Sequence, residues 1–221
     1  KRASLIKNLR AAPLGMAQNI SAYRKLNRLP IKPQLVISDF DSWAYIYARN
    51  HRIPVISIDN MQIIDRCKHA SITTDNDCAD FRLAKGAVKI KMPNAYHYIA
   101  SSFFYPKVKK ERTTLVPPIL RKEVLNAKPE PGKHILVYQS SSNNNELVDL
   151  LKKFPHEFRL YGFNREGRDG NIVYRPFSQE GFIQDLRSAR AVIAGGGYSL
   201  MGEAVHLGVP MLSVPIAGQY E

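Results

Sequence analysis

The sequence lacks the features of a membrane-spanning or secreted protein. No apolar run approaches the roughly 18 residues of a membrane span. The only two cysteines, Cys67 and Cys78, have neither CxxC spacing nor the density of a disulfide scaffold. We therefore expect free thiols and a reducing, cytoplasmic location, and the basic residues described next would favour a peripheral position at the inner face of the membrane. The first residues also lack a methionine and a signal-peptide core. We accordingly expect a fragment, incomplete at its N-terminal domain and truncated at its C-terminal one.

Acidic residues are also scarce. The chain has 19 Asp and Glu against 32 Lys and Arg, which gives a formal net charge of +13. Such a surplus favours an anionic partner, whether nucleic acid, a phospholipid surface or a phosphorylated substrate. Basic residues cluster near the start of the chain and at Lys107–Arg112, but no nucleic-acid recognition motif accompanies them. If these clusters are more than a solvated basic face, we expect an anionic membrane surface rather than nucleic acid.

Short β-branched apolar runs alternate with helical patterns along the chain. Strands are predicted at Pro33–Phe40 and Ile53–Asn60 with a helix between them, an order that indicates a parallel βαβ unit. A second βα series begins at His134, after a segment rich in proline and charge. The alternation predicts an α/β protein with two domains in tandem. We place an N-terminal domain at residues 1–120, a linker at 121–132 and a C-terminal domain at 133–221.

Three consecutive glycines, Gly195, Gly196 and Gly197, follow an apolar strand pattern and precede a helical one. In open α/β sheets, ligands bind beyond the carboxyl ends of strands, where helix N-termini offer N–H groups and a positive dipole end. Glycines let a phosphate or sugar approach these groups, and Ser199 adds a hydroxyl. The alternative is a tight turn that only needs positive φ. The stretch lacks the Gly-Lys-Ser/Thr of a Walker loop and lies too late in its domain for a dinucleotide fingerprint.

Glu203 lies one helical turn after Ser199. A carboxylate there is favoured by the helix dipole and is able to accept hydrogen bonds from the vicinal hydroxyls of a sugar. An ordinary first-turn glutamate is the alternative interpretation. His206, on the same predicted helix, is expected to be a packed or surface residue.

The stretch GGGYSLMGEAVHLGVPMLSVPIAGQYE resembles the C-terminal domain of GT-B glycosyltransferases, in particular the MurG-like UDP-sugar transferases. These enzymes consist of two Rossmann-like domains, and the donor lies in the cleft between them. The resemblance implies that residues 1–120 form the acceptor-side domain and residues 133–221 the nucleotide-sugar-binding domain. The resemblance implies that Glu203 holds the nucleotide ribose and that Gly196, Gly197 and Ser199 line the diphosphate. It assigns the remaining donor contacts to Ser140, Ser141, Ser142, Phe177, Ser178, Gln219 and Glu221.

Each of these remaining contacts has an implied role. The three serines match a second polar loop near the diphosphate. The backbone of Phe177 and Ser178 matches the segment that contacts the nucleotide base. Gln219 matches the residue that contacts the donor sugar, with Glu221 beside it. No metal or cofactor is implied, because the UDP-sugar is a co-substrate. The glycine-rich first loop of the family and its histidine are absent from this sequence, so the catalytic base is unassigned.

Asp39 and Asp41 form a second candidate site at the end of a predicted strand. A DxD pair in this place binds a divalent metal in GT-A glycosyltransferases, since hard carboxylate ligands suit such a metal. The alternative is that Asp41 caps the following helix. In a GT-B enzyme, Asp39, Ser42 and Asn60 would instead lie at strand ends as acceptor contacts or as a supporting acid.

These observations together predict a metal-independent GT-B hexosyltransferase that uses a UDP-sugar, with a lipid-linked or cell-envelope molecule as the candidate acceptor. The glycine N–H groups and the helix N-terminus would stabilise the departing diphosphate. One alternative is an enzyme of the same fold similar to UDP-N-acetylglucosamine 2-epimerase. Another is a non-catalytic basic protein that binds nucleic acid or membranes. The sequence leaves the acceptor, the sugar, the stereochemistry and the oligomeric state open.

Overall fold

The computed structural model describes residues 5–69, 75–130, 132–139 and 145–214. The chain divides into two compact units, an N-terminal unit of residues 1–117 and a C-terminal unit of residues 118–216. Each unit contains one sheet whose strands are parallel, apart from a single hairpin in the C-terminal unit. The predicted α/β fold class is therefore confirmed.

The N-terminal unit contains a four-stranded sheet in the order β1-β2-β3-β4, with every neighbouring pair parallel. Because consecutive strands are parallel neighbours, a crossover segment must carry the chain back between them. Helices do so between β1 and β2 and between β2 and β3, whereas residues 102–112 connect β3 to β4 without a helix. Its elements are α1 (Leu5–Asn27), β1 (Val36–Ser38), α2 (Ser42–Asn50), β2 (Val55–Asp59), α3 (Gln62–Arg66), α4 (Asp75–Lys91), β3 (His97–Ser101) and β4 (Thr113–Val116).

The N-terminal unit packs its helices on a sheet with alternating burial. In β2, Val55, Ser57 and Asp59 are buried while the residues between them are half-buried, as the two-residue period of a strand requires. The main apolar cluster joins α2 to β2, β3 and the end of α4 through Tyr45, Ala48, Val55, Met92, Ala95 and Tyr98.

The C-terminal unit contains a six-stranded sheet in the order β10-β9-β5-β6-β8-β7. All neighbouring pairs are parallel except β7 and β8, which form an antiparallel pair. Its elements are α5 (Lys122–Leu125), β5 (Ile135–Tyr138), α6 (Asn145–Leu151), β6 (Phe158–Tyr161), β7 (Gly167–Asp169), β8 (Ile172–Tyr174), α7 (Gln179–Arg187), β9 (Ala191–Ala194), α8 (Tyr198–His206) and β10 (Met211–Ser213).

Residues 121–132, which the sequence predicts to be a linker, lie in the C-terminal unit. They include the short helix α5, and the side chain of Val124 is fully buried in a core cluster with Leu136, Leu186 and Val192. One buried valine contributes about 1.5–3 kcal/mol of transfer free energy. This segment is thus anchored to the C-terminal core.

The strand order of the C-terminal unit reverses at β5. The chain proceeds from β5 to β6 and β8 on one side, and then returns to place β9 and β10 on the other. The ends of β5 and β9 are level, since Tyr138 is paired in register with Ala194. Such a topological switch point, at the carboxyl ends of the strands, is where ligands bind in open α/β sheets. The glycine stretch directly follows β9.

None of the helices in the described ranges, the 23-residue α1 included, is long and apolar enough to span a membrane.

Candidate functional site

The glycine stretch forms the connection from β9 to α8. Gly196 has φ +85, and a Cβ there would stand 2.5 Å from the Oγ of Ser213, so this position requires glycine as a turn does. A Cβ at Gly195 would meet only the backbone oxygen of Val214 at 3.9 Å, and one at Gly197 would meet nothing within 4 Å. The turn therefore accounts for one of the three glycines. The other two leave open space beside the backbone.

Helix α8 begins at this open backbone without a side-chain cap. Its N-cap is Gly197, which makes no side-chain hydrogen bond, and its first turn contains no acidic residue. Ser, Thr, Asp or Asn is the usual N-cap because its side chain binds the first N–H groups. Ser199 lies exposed in the first turn. The positive end of the α8 dipole thus faces the carboxyl edge of the sheet at the switch point.

Glu203 is buried and lies in the second turn of α8, so it is not a first-turn glutamate and the dipole does not account for it. Its counter-charge is Arg121, whose Nε donates to Oε1 at 2.6 Å and whose Nη2 donates to Oε2 at 2.7 Å. The hydrogen bonds to Glu203 raise the pKa of Arg121 above its ordinary value. Sequence reasoning missed this ion pair, because the two residues are 82 positions apart.

Phe177 and Ser178 connect the end of β8 to α7. The ring of Phe177 is 76% exposed. The hydroxyl of Ser178 caps α7 by accepting the N–H of Gly181 at 3.2 Å. The side chain of Ser178 therefore has a structural partner, and its backbone remains the group assigned to base recognition.

Sequence reasoning missed a buried carboxylate, Asp185, that binds residues near this connection. Asp185 of α7 accepts from Arg175 at 2.9 and 3.2 Å, from Arg159 at 2.5 Å and from the hydroxyl of Tyr161 at 2.6 Å. Burial and the bond to Asp185 raise the pKa of Tyr161. Because Arg175 directly precedes Pro176 and Phe177, the Asp185 cluster ties α7 to the strand end that carries the exposed ring.

The other predicted donor contacts, Ser140, Ser141, Ser142, Gln219 and Glu221, lie outside the described residues. The three serines follow β5, whose end is paired with the end of β9. Gly162, the first residue after β6, has φ +91, and a Cβ there would stand 1.7 Å from the backbone oxygen of Gln139, the first residue after β5. The chain therefore leaves β5 and β6 at closely spaced backbone positions.

The candidate acids of the N-terminal unit have separate roles. Asp41 caps α2, its Oδ1 accepting the N–H of Ala44 at 2.7 Å, as one interpretation of the sequence predicted. Asp39 is exposed after β1, and Phe40 between them has φ +51, an unusual conformation for a bulky residue. No group of three His, Cys, Asp or Glu side chains placed to hold a metal occurs within the described ranges.

Asp59, at the end of β2, is a buried acid that sequence reasoning did not single out. It accepts the hydroxyl of Ser57 at 2.6 Å and the N–H of Gln62 at 2.9 Å, and it is 5% exposed. Burial raises the pKa of Asp59, and the nearby charge of Asp39 adds to this effect. Asn60, the next residue, is half-buried. Ser42 is the first residue of α2.

A family model described as "Glycosyl transferase family 1" matches residues 1–221. No curated protein matches the chain. Among solved structures, UGT89C1 of Arabidopsis thaliana complexed with UDP is 17% identical, with a TM-score of 0.60 over 94% of this chain and 60% of that one. The glycotransferase of kitacinnamycin is 15% identical, with a TM-score of 0.58 over 98% and 66%. CalG4, the calicheamicin glycosyltransferase, is 14% identical, with a TM-score of 0.52 over 96% and 63%.

These similarities concern the fold. The mixed α/β architecture with parallel sheets matches the GT-B fold, of which the chain covers part. The chain spans less than two thirds of the length of each of these three structures.

Proposed function

The chain belongs to glycosyl transferase family 1, and we propose that it transfers a sugar from a UDP-sugar to an acceptor. The observation that carries the proposal is the uncapped N-terminus of α8 behind open glycine backbone, at the switch point of the C-terminal sheet. A nucleoside diphosphate suits such a site, because its phosphates are anions and need N–H donors with close backbone approach. UGT89C1, with which the chain shares its fold, was solved with UDP bound.

The proposed chemistry is stabilisation of the leaving group. When the glycosidic bond breaks, negative charge accumulates on the departing diphosphate. The N–H groups of Gly196 and Gly197, the hydroxyl of Ser199 and the α8 dipole would stabilise this charge without reorganisation, and one such donor is typically worth about 3 kcal/mol. This electrostatic role is the reason for proposing a metal-independent enzyme.

The rest of the donor is assigned along the same edge of the C-terminal sheet. Glu203 would bind the ribose hydroxyls, and the backbone at Phe177 and Ser178 would read the base. The serines at 140–142 would face the diphosphate, and Gln219 with Glu221 would orient the sugar. We leave the catalytic base unassigned. Asp39, exposed at the end of β1, is proposed as a supporting acid or acceptor contact, whereas Asp41 is occupied as a helix cap.

We further propose a MurG-like enzyme of the cell envelope, with a lipid-linked acceptor and an anionic membrane surface as partner of the N-terminal unit. On α4, Leu83 and Ile90 are 75% and 82% exposed and lie two turns apart, hence on one face. The same helix carries Lys85, Lys89 and Lys91. Of the nearby lysines, Lys89 and Lys110 pair with the buried Asp65. Burial and the charge of Lys85 lower the pKa of Lys109, which indicates crowding of cationic groups.

A cosedimentation assay tests the membrane proposal. The full-length protein should bind vesicles containing phosphatidylglycerol at low salt more tightly than vesicles of phosphatidylcholine, since each basic residue near an anionic surface contributes about 1 kcal/mol. The change Lys85→Glu with Lys109→Glu should remove most of this preference. Equal binding to both vesicles by the parent protein would contradict it.

The test of the donor site is calorimetric titration of the full-length protein with UDP and UDP-N-acetylglucosamine. Glu203→Ala should weaken UDP binding at least about tenfold, or about 1.4 kcal/mol. Glu166→Ala is the matched control, because Glu166 is an exposed glutamate of the same unit. Turnover of UDP-N-acetylglucosamine without acceptor would favour an epimerase-like enzyme. Absence of UDP binding, with steeply salt-dependent nucleic-acid binding, would favour a non-catalytic basic protein.

A further inference from the structure

The ion pair between Arg121 and Glu203 has a geometry that fixes the plane of the carboxylate. Each oxygen of Glu203 accepts from a different nitrogen of the guanidinium, at 2.6 and 2.7 Å. The terminal torsion of a glutamate is otherwise broad, with little preference for one orientation. A guanidinium that binds both oxygens restricts this torsion, since its donors form a rigid planar fork.

Arg121 is itself held by the C-terminal core. It is the N-cap of α5, and its carbonyl accepts the N–H groups of Val124 at 3.0 Å and Leu125 at 3.1 Å. Val124 is fully buried. The guanidinium therefore extends from a backbone position that the core determines, and the orientation of Glu203 follows from it.

The pair leaves Glu203 with unused acceptor capacity. An ionised carboxylate offers about four lone-pair positions on its two oxygens. Arg121 uses one position on each oxygen, so about two positions remain, one on each. A vicinal diol presents two O–H donors at neighbouring carbons. The free positions on the fixed carboxylate match the donors of such a diol in number.

We propose that Arg121 is a positioning residue of the donor site, which holds the carboxylate of Glu203 in the plane needed to bind the ribose hydroxyls of UDP. This inference rests on the proposed function, because it concerns the ribose contact of the same site. Without Arg121, Glu203 would be a nearly buried carboxylate lacking its counter-charge, a state that costs free energy and favours a different rotamer. Arg121 thus acts on the nucleotide through Glu203.

The test compares UDP with 2′-deoxy-UDP, which lacks one of the two hydroxyls. Full-length parent protein should bind UDP about tenfold more tightly than 2′-deoxy-UDP, the difference expected for one hydrogen bond to a charged group. Arg121→Gln should abolish this preference by weakening UDP alone, with 2′-deoxy-UDP changed by no more than about twofold. Arg121→Lys keeps the charge but not the fork, and should recover only part of the preference.

Two further variants separate positioning from folding. Arg187→Gln is the matched control, because Arg187 is a partly buried arginine of the same unit whose guanidinium pairs with Glu130; it should retain the full preference. Arg121→Gln combined with Glu203→Gln leaves no unpaired buried charge, so it should fold, as a thermal melt would show. The double variant should bind UDP no more weakly than Glu203→Gln alone, since both residues serve one contact.

The outcomes are distinguishable. Equal weakening of UDP and 2′-deoxy-UDP by Arg121→Gln would show a merely structural ion pair and overturn the proposal. So would an unchanged preference in that variant, or parent protein that binds both nucleotides equally. If the parent binds neither nucleotide, the donor site itself is wrong and the role of Arg121 falls with it.

Discussion

Asp59 of the N-terminal unit and the buried carboxylates of the C-terminal unit have different kinds of partner. In the C-terminal unit, Glu203 and Asp185 are each bonded at both oxygens by arginine side chains. In the N-terminal unit, Asp59 is bonded by a hydroxyl and a backbone N–H of its own neighbourhood. The two carboxylates of the C-terminal unit thus have cationic partners, whereas burial raises the pKa of Asp59, which has none among its hydrogen-bond partners. Asp65 of the N-terminal unit pairs with Lys110, so the contrast is between these individual sites and not between all the acids of the two units.

The two sheets also differ in their strand order. Strands of the N-terminal sheet follow one another in chain order, while the C-terminal sheet reverses at β5. Only the reversal places two loops, those after β5 and β9, on either side of a crevice. The glycine turn and the uncapped α8 lie there. Parallel α/β architecture alone therefore does not mark a ligand site, and the strand order does.

The largest expected effect is that of neutralising Asp185. Asp185→Asn should lower the free energy of unfolding by about 3 kcal/mol, since Arg159 and Arg175 would lose their buried counter-charge. Urea denaturation measures this loss, with the exposed Asp149→Asn as control, expected within about 0.5 kcal/mol of the parent. A loss no larger than that of the control would mean that the arginines are satisfied by solvent.

Glycines at the edge of the C-terminal sheet separate a steric requirement from a ligand requirement. Gly162→Ala should destabilise the fold by about 2–3 kcal/mol, because its Cβ would overlap the backbone oxygen of Gln139 at positive φ. Gly197→Ala should change unfolding by less than about 0.5 kcal/mol, since the position is open. It should nevertheless weaken UDP binding about tenfold in a calorimetric titration. Unchanged UDP binding would reduce the glycine stretch to a turn.

Local features of both units could be predicted from the sequence, and distant pairings could not. The strand before the glycines, the helix after them and the capping option for Asp41 all follow from patterns within about ten residues. The polar strand β7, Gly167–Asp169, has no apolar signal and forms because it pairs with β8. Asp185 had one signal, since it interrupts the apolar positions Phe182, Ile183 and Leu186 of α7. Its partners Arg159, Tyr161 and Arg175 could not be predicted, because the order of the strands in the sheet brings them to Asp185.

The cap of α2 tests the rival interpretation of the DxD pair in the N-terminal unit. Asp41→Ala should cost about 1 kcal/mol of stability in urea denaturation, the usual loss for an N-cap carboxylate. Asp41→Ser retains a capping oxygen and should recover most of it. UDP binding, measured with and without Mn²⁺, should be the same in both variants as in the parent. Loss of an Mn²⁺-dependent gain in Asp41→Ala would instead indicate metal ligation.

The smallest effect is expected at Asp59, and its sign separates this acid from Glu203 and Asp185. Because its pKa is raised above the ordinary value of 3.8, the folded protein holds this proton more tightly than the unfolded chain does. The stability that Asp59 contributes is therefore full at acid pH and is lost as the pH rises from the ordinary aspartate range through the raised pKa. Asp59→Asn should remove that pH-dependent loss, because an amide does not ionise. The amide oxygen can still accept the hydrogen bond from the N–H of Gln62. At neutral pH the variant should lie within about 1 kcal/mol of the parent or above it. A fall of about 3 kcal/mol, as expected for Asp185→Asn, would mean that Asp59 is a paired charge, and its contrast with Glu203 and Asp185 would be lost.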